Sequence, residues 1–386
     1  MLILLIHRNG RIINYQIYKF FQKKYSLQLN GKIDFSNFAA VNFTEINSQN
    51  KKNHDEIRND LENDLLKSHI DFQLLVANSP LINKEHSIIV NKISHGGDTF
   101  NEITLLSEQA IEKLAEYSIL APGDQEADLE LTKTLLNMFP KAKHYASFET
   151  AFHATISNTH KMLLPSLEYT REFARNYGKN GLLFAAINQR LNDITEKKIA
   201  KGKWLFIDID ATETIICAVK NNKSVYSTAS FIHDELLNFK SCGLIDPQLA
   251  LIIEAKPTQI SNLFAKLNLS QLDIPNKSIL EIIKSDEPAI KILGNYYFNQ
   301  LIATIGKLAA IMKGLHGIVF TGKIAALDPQ IRGSICEQLE WLGVELGNKN
   351  NAENKFKISK KSSKVEVYAI QASPLDGMLY QLLDRM

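Results

Sequence analysis

The sequence predicts an α/β protein built on a duplicated nucleotide-binding unit, and three observations carry that expectation. Leu2 to Tyr18 reads LILLIHRNGRIINYQIY, an apolar strand, a polar turn at Arg8 to Arg11 and an alternating strand. Leu205 to Lys223, LFIDIDATETIICAVKNNK, repeats the strand, tight turn and strand. Further along, strand, turn and helix recur in that order, as nucleotide-binding α/β folds require. In such folds the turn between paired strands wraps a phosphate, and glycine is expected where backbone must approach closely. The second turn is instead Asp210, Ala211, Thr212 and Glu213.

After the opening hairpin, Ile57, Leu61, Leu65 and Leu66 stand at helical spacing and predict a helix over Glu56 to His69. Ser87 to Lys92 reads as a short apolar strand that runs into ISHGGDTF, Ile93 to Phe100. Helices follow from about Ser107 to Tyr117 and Asp128 to Phe139, then a strand over Lys143 to Phe148 that leads into Glu149. This alternation indicates an α/β domain. From Glu168 to Ala200 the pattern is mostly helical, broken at Tyr177 to Gly181, and the second hairpin begins at Lys203. Pro257 to Leu269 and Glu287 to Leu315 read as helices, the latter with a broad apolar face suited to a core or a dimer contact. Gly317 to Thr321 reads as a strand entering Gly322, Pro329 to Leu342 as a helix, Val365 to Ile370 as a last strand, and Pro374 to Asp384 as a terminal helix.

Length and composition bound the function classes. A chain of 386 residues is long enough for two domains, each with its own core. Hydrophobic content of 45% with charged content of 22% is ordinary for a globular protein, and a net charge of +2 makes no field that would draw nucleic acid. The one basic excess, Lys349 to Lys364, lacks interleaved aromatic residues beyond Phe356 and reads as a solvated loop rather than a binding patch. Cys217, Cys242 and Cys336 are widely spaced without a CxxC or Cys/His cluster, which fits a reducing cytoplasm and argues against zinc. Leu2 to Ile6 is too short for a signal peptide, and no apolar run approaches the roughly 18 residues of a membrane helix.

Several segments in one order resemble the acetate and propionate kinase family. Ser94 to Phe100, SHGGDTF, resembles its HGGE-type loop, Leu120 to Pro122 its LAP turn, and Phe148 to His153, FETAFH, its FDTAFH. Ile245 to Pro247, IDP, and Val319 to Thr321, VFT, match as well. The resemblance implies two actin/hexokinase-like, ribonuclease H-like α/β domains with a cleft between them, here residues 1–150 with 374–386, and 151–373, the second carrying a homodimer interface. It also implies transfer of the γ-phosphoryl of ATP, with magnesium, to a short carboxylate. Such transfer asks a protein mainly for positioning and for positive charge on the moving oxygens.

The family's functional positions are carried over with many replacements. Its opening Asn falls on His7, and its Gly/Ser run and Lys on Asn9, Gly10, Arg11 and Asn14. Its substrate Arg is replaced by Lys92, which keeps charge but not the bidentate fork. Its catalytic Asp becomes Glu149, and in its YGFHG sequence Lys179 and Asn180 stand at the Phe and His. Its transition-state Arg falls near Lys240 and Ser241, across a one-residue gap. The glycine-rich HLGNG turn corresponds to Asp208 to Thr212, and GIGEN to Lys323 to Leu327, where Gly322 precedes and Ala325 replaces a glycine. The adenosine-contacting triplet falls on Ser278, Ile279 and Leu280, and the metal-binding Glu on Pro374.

Each of these residues has a sharp and a plain reading. Asp208 and Asp210 alternate with Ile207 and Ile209, so both carboxylates would project from one strand face, to hold magnesium with His7 or simply to meet solvent. Lys323 either reaches into the former phosphate site or points outward. His95 and Gly96 form either an anion loop or a structural turn, His153 is either a base or a satisfied buried histidine, and Glu149 is either a catalytic remnant or a structural carboxylate. Three functions therefore stand side by side: an acyl kinase, a kinase-like binding protein without turnover, and a phosphotransferase with a shifted donor or acceptor.

Overall fold

The apolar run that opens the chain becomes a strand buried on both faces, because it lies in the interior of a mixed sheet. The computed structural model describes residues 1–36, 40–47, 52–58, 86–163, 175–195, 201–244, 268–271 and 278–386. They divide into one unit of Met1–Ala151, Asn180–Leu183 and Ser373–Met386, and another of Phe152–Lys179 and Phe184–Ala372.

In the first unit, β1 (Leu2–Asn9), β2 (Ile12–Phe21), β3 (Lys24–Asp34), β4 (Ala40–Asn47) and β5 (Lys52–Arg58) form an antiparallel meander. β6 (Ile88–Ile93) runs parallel to β1, β8 (Lys143–Phe148) runs parallel to β6, and the short β7 (Thr104–Leu105) closes the edge. The resulting order is β5-β4-β3-β2-β1-β6-β8-β7. Alternate residues of β1 serve two cores. Leu4 and Ile6 join Ile13, Tyr15, Ile17 and Leu135 on one face, whereas Ile3 and Leu5 join Leu182 and the terminal helix Pro374–Arg385 on the other.

The expected helix over Glu56 to His69 is corrected at its start, since Glu56, Ile57 and Arg58 belong to β5, where β4 supplies their main-chain partners. Residues 59–69 lie outside the described residues, as do 168–174, 196–200, the IDP segment and 257–267. Among the helices of this unit, α1 (Glu108–Ala115) starts at Ser107, whose side chain accepts the Ala110 amide. α2 (Asp124–Met138) starts four residues before the expected Asp128, because Glu126 reaches back to the Gly123 amide.

The second unit holds a five-stranded sheet in the order β11-β10-β9-β12-β13. β9 (Lys203–Ile209), β10 (Thr214–Lys220) and β11 (Lys223–Ser227) are antiparallel, and β12 (Gly317–Thr321) and β13 (Glu366–Ala369) continue parallel to β9. Among its helices in the described residues are the body of α3 (Gly181–Ile194), then α4 (Ile279–Lys284), α5 (Pro288–Ile311), α6 (Pro329–Glu337) and α7 (Asn348–Ala352). α5 packs Tyr297, Leu301, Ile305 and Leu308 onto Ile207, Ile209 and Phe320 of the sheet core. The expected solvated loop at Lys349 to Lys364 is corrected in part: its start is helical, and Ile358 and Ser359 are buried because Ile358 and Ser359 donate to the Val367 carbonyl.

Candidate functional site

In the first unit the candidate residues gather at the carboxyl ends of β1, β6 and β8. His7 sits opposite Asn14 in the β1/β2 register, and its Nε2 lies 2.9 Å from Oε1 of Glu149, which follows β8 directly. The second carboxylate oxygen of Glu149 accepts the Leu182 amide at 3.2 Å. Burial alone drives this carboxyl upward, but the hydrogen bond and charge of His7, the charge of Lys92 and the Leu182 amide outweigh it and leave the pKa below the ordinary range. Asn180 holds φ of +56° just before the helix that Gly181 opens, a left-handed position that Asn tolerates better than most residues.

Lys92 is buried, and its Nζ donates to Ser94 Oγ at 2.8 Å and to Asp128 Oδ2 at 2.9 Å. Asp128 also accepts the Ser94 amide and hydroxyl at 2.8 and 2.7 Å. Burial pushes the Asp128 carboxyl up, and Lys92 and Ser94 offset this only in part, so its pKa lies above the ordinary range. Sequence reasoning placed Lys92 and missed Asp128, which it read as the start of a helix.

The HGG loop is built as a turn. The Gly97 amide donates to His95 Nδ1 at 2.9 Å, and Gln125 bonds the His95 amide and carbonyl at 2.9 and 3.0 Å. A Cβ on Gly96 would lie 2.2 Å from the Phe100 carbonyl oxygen, and one on Gly97, at φ +61°, 2.2 Å from the Tyr117 ring. These glycines are therefore required by packing whatever else the loop does.

In the second unit the two former glycine turns adjoin. Asp208 is buried near the end of β9, with Oδ1 only 2.3 Å from where a Gly322 Cβ would stand. Asp210 lies beyond the strand in the turn, and its Oδ1 accepts the Ala211 amide at 2.8 Å. β9 ends at Ile209, so Asp208 packs within the strand and Asp210 caps the turn that follows. The Ile324 and Ala325 amides donate to the Ile209 carbonyl at 3.0 and 3.3 Å. Behind them Arg332, fully buried, donates to the Ala325 carbonyl at 2.9 Å. Lys323 is 81% exposed, with its ammonium 3.9 Å from the Asp210 carboxylate. Thr212 is exposed, and its carbonyl accepts the Phe239 amide at 3.1 Å.

Lys179 donates to the Glu213 carboxylate, a partly buried pair. Its existence was signalled in the sequence by two replacements of opposite charge in two altered turns. Lys240 is exposed, and the amides of Lys240 and Ser241 donate to Asn238 Oδ1 at 2.7 and 2.8 Å. His153 is buried, with Nδ1 2.9 Å from Ser224 Oγ and Nε2 3.0 Å from the Lys179 carbonyl, which matches a satisfied histidine. Nearby Cys217 is buried, and burial pushes its thiol up to about 12.

His7 is engaged by Glu149, Asp208 is packed against Gly322, and Pro374 occupies the first helical position behind Ser373, whose cap is completed by the Asp376 carboxylate. Among the described residues no group of three metal-ligating side chains converges. A groove of about 530 Å³ opens beside the Lys323 turn, walled by Leu280, Ile324, Leu327 and Pro329, with Lys284 and Asp328 paired at 2.7 Å on its rim.

The sheet orders, the pairing directions and the placement of the two turn-bearing hairpins define an α/β protein of the actin and hexokinase-like class. Acetate kinase from Entamoeba histolytica has a similar structure, with a TM-score of 0.82 at 19% identity over 100% of this chain and 99% of its own. A propionate kinase from Francisella tularensis gives 0.82 at 20% identity over 98% of each chain. In sequence, the acetate kinase of Rickettsia akari is 28% identical over 287 residues, 72% of this chain and 74% of that protein. That of Nitrobacter hamburgensis is 29% identical over 286 residues, 72% and 70% of the two. The family model described as the acetokinase family matches residues 2–374. The chain belongs to the acetokinase family.

Proposed function

We propose that this acetokinase-family protein keeps the family's fold as a binding or regulatory protein and does not turn over phosphoryl transfer from ATP to a short carboxylate. One observation carries the reading: of the charged side chains in the family's functional segments, Lys92, Glu149 and Lys179 are bonded within the protein, while Lys240 is exposed. Lys92 is held by Asp128 and Ser94, Glu149 by His7 and the Leu182 amide, and Lys179 by Glu213. Phosphoryl transfer needs such charges directed at the moving oxygens, and a buried ammonium neutralised by a carboxylate supplies little field to a second anion. The test is hydroxylamine trapping of acyl phosphate with the folded chain, ATP, magnesium and acetate or propionate. The expected signal equals the protein-free control, and turnover that Glu149→Ala abolishes would overturn the proposal.

The family reaction itself is the second reading, favoured by relatives named acetate kinase at 28% and 29% identity. The third, a shifted donor or acceptor served by Lys92, Glu149, Lys240 and the Asp208 and Asp210 pair, is separated from both by calorimetry against ATP, ADP and pyrophosphate. We further infer a cytoplasmic homodimer without a nucleic-acid or membrane partner. The near-neutral net charge supports this, as does the lack, among the described residues, of a helix long and apolar enough to cross a membrane. Self-association is supported by Ile292 of α5 and by Trp341, each 68% exposed.

A further inference from the structure

The hairpin of β2 and β3 extends past its neighbour. β4 pairs with β3 only from Leu29 to Asp34, and among the described residues no strand pairs with Lys24 to Gln28 on the side away from β2. Phe20 exchanges main-chain hydrogen bonds with Met1, so its own groups face β1, and Tyr25, opposite Phe20 in the register, turns its amide and carbonyl outward. Leu27, opposite Tyr18, does the same. An open edge from Lys24 to Gln28 has the length of an ordinary strand. Its two faces differ. Tyr25 and Leu27 share one face, with the Tyr25 ring edge-on to Tyr18 at 6.0 Å between centroids, and they remain 46% and 41% exposed. Lys24 lies on the other face with Lys19 and with Phe21, its cross-strand partner, which is 65% exposed. Asp34 is the first carboxylate of the chain, and Lys19, Lys23 and Lys24 form no ion pair among the described residues. The turn holds Gln22 and Lys23 at φ of +48° and +61°, left-handed positions where Asn and Gly are usual, so Lys23 is kept at a backbone cost.

Lysines on a sheet edge also serve to keep sheets apart. That role explains the charge and leaves the exposed Tyr25, Leu27 and Phe21 beside it without a purpose. A second copy of the chain is ill suited to the edge, since it would bring the same lysines together. We propose that Lys24 to Gln28 is a docking edge for an extended acidic segment of another protein, which adds to β3 as a further strand. Alternate side chains of the segment contact Tyr25 and Leu27 on one face, and its carboxylates meet Lys19 and Lys24 on the other, with Lys23 at the end of the hairpin. The inference rests on reading this chain as a binding or regulatory protein, and it names the class of partner.

Fluorescence anisotropy of the full chain with a labelled heptapeptide that alternates glutamate with valine and tyrosine tests it. Saturable binding is expected, at least tenfold weaker for the same peptide with lysine in place of glutamate. The peptide methylated at its backbone nitrogens is expected to bind at least tenfold more weakly as well, because methylation removes the donors of an added strand. Lys23→Glu/Lys24→Glu is expected to lose at least tenfold in affinity with an unchanged melting temperature, and Tyr25→Ser to show the same loss without a change of charge. Where a variant unfolds, the peptide comparisons on the parent chain decide. Absence of saturable binding overturns the proposal, and so does equal binding of the lysine or methylated peptide, or a folded variant that binds as the parent does. Phosphatidylserine vesicles that bind the chain more tightly than the peptide does, or a dimer that Lys24→Glu dissociates, overturn it by assigning the surface to a membrane or to a second copy. Acyl phosphate formation in the same preparations is a separate readout. Turnover beside peptide binding overturns the proposed absence of catalysis and leaves this inference standing, whereas failed peptide binding without turnover overturns this inference alone.

Discussion

Glu149 is the residue whose chemistry and packing can be separated by pH. Its folded pKa lies below the unfolded value of about 4.5, although burial acts in the opposite direction, because His7, Lys92 and the Leu182 amide favour the charged form. A depressed carboxylate contributes stability that is present above the unfolded pKa and is lost as pH falls through the folded one. Urea midpoints of the parent chain are therefore expected to drop as pH falls below about 4.5, and those of Glu149→Gln to drop less steeply. Equal slopes would show that the His7 contact does not set this carboxyl. From the sequence, Glu149 and Lys92 were legible because each follows a recognisable motif on a strand. Their partners were not. Asp128 lies inside an amphipathic helix 36 residues from Lys92, and nothing in that helix's periodicity marks a carboxylate turned inward.

At the scale of elements, the parallel strands and the two motif-bearing hairpins were readable because their apolar runs are dense. β3 and β4 escaped notice. In β3, Leu29, Gly31 and Ile33 alternate with exposed Asn30 and Lys32, the pattern of a strand wet on one side, and its first residues are exposed throughout. β12 gives the opposite case, a short strand read correctly yet dependent on a contact the sequence hides. Gly317 pairs with Trp204 across β9, and a Cβ there would lie 2.0 Å from the buried indole. Gly317→Ala is expected to cost about 1–3 kcal/mol through overpacking. It should also shift the emission of Trp204, while Trp341, largely exposed, reports as before. Urea unfolding followed by fluorescence measures both, and an unchanged midpoint would mean that the strand can slide away from the ring at no cost.

For the whole molecule, family membership and the proposed absence of turnover are separate statements with separate causes. The fold is carried by many buried apolar contacts spread over both sheets, which tolerate sequence divergence as long as volume and patterning are kept. Catalysis depends on a few charges directed at one point, and a partner side chain is enough to redirect each of them. Assembly follows the first kind of statement. Sedimentation velocity is expected to give a dimer for the parent chain and a shift to monomer for Ile292→Glu, and a parent chain that sediments as a monomer throughout would refute the inferred interface. The sequence by itself determined the α/β class, the duplicated hairpins, the order of motifs and the loss of glycine from two turns, because these are local patterns of apolar spacing and residue type. Only the tertiary structure decided what fills the altered turns and where each charge is spent. His7 meets Glu149 across 142 residues and Lys179 meets Glu213 across 34, and contacts at such separations are set by how strands and helices pack.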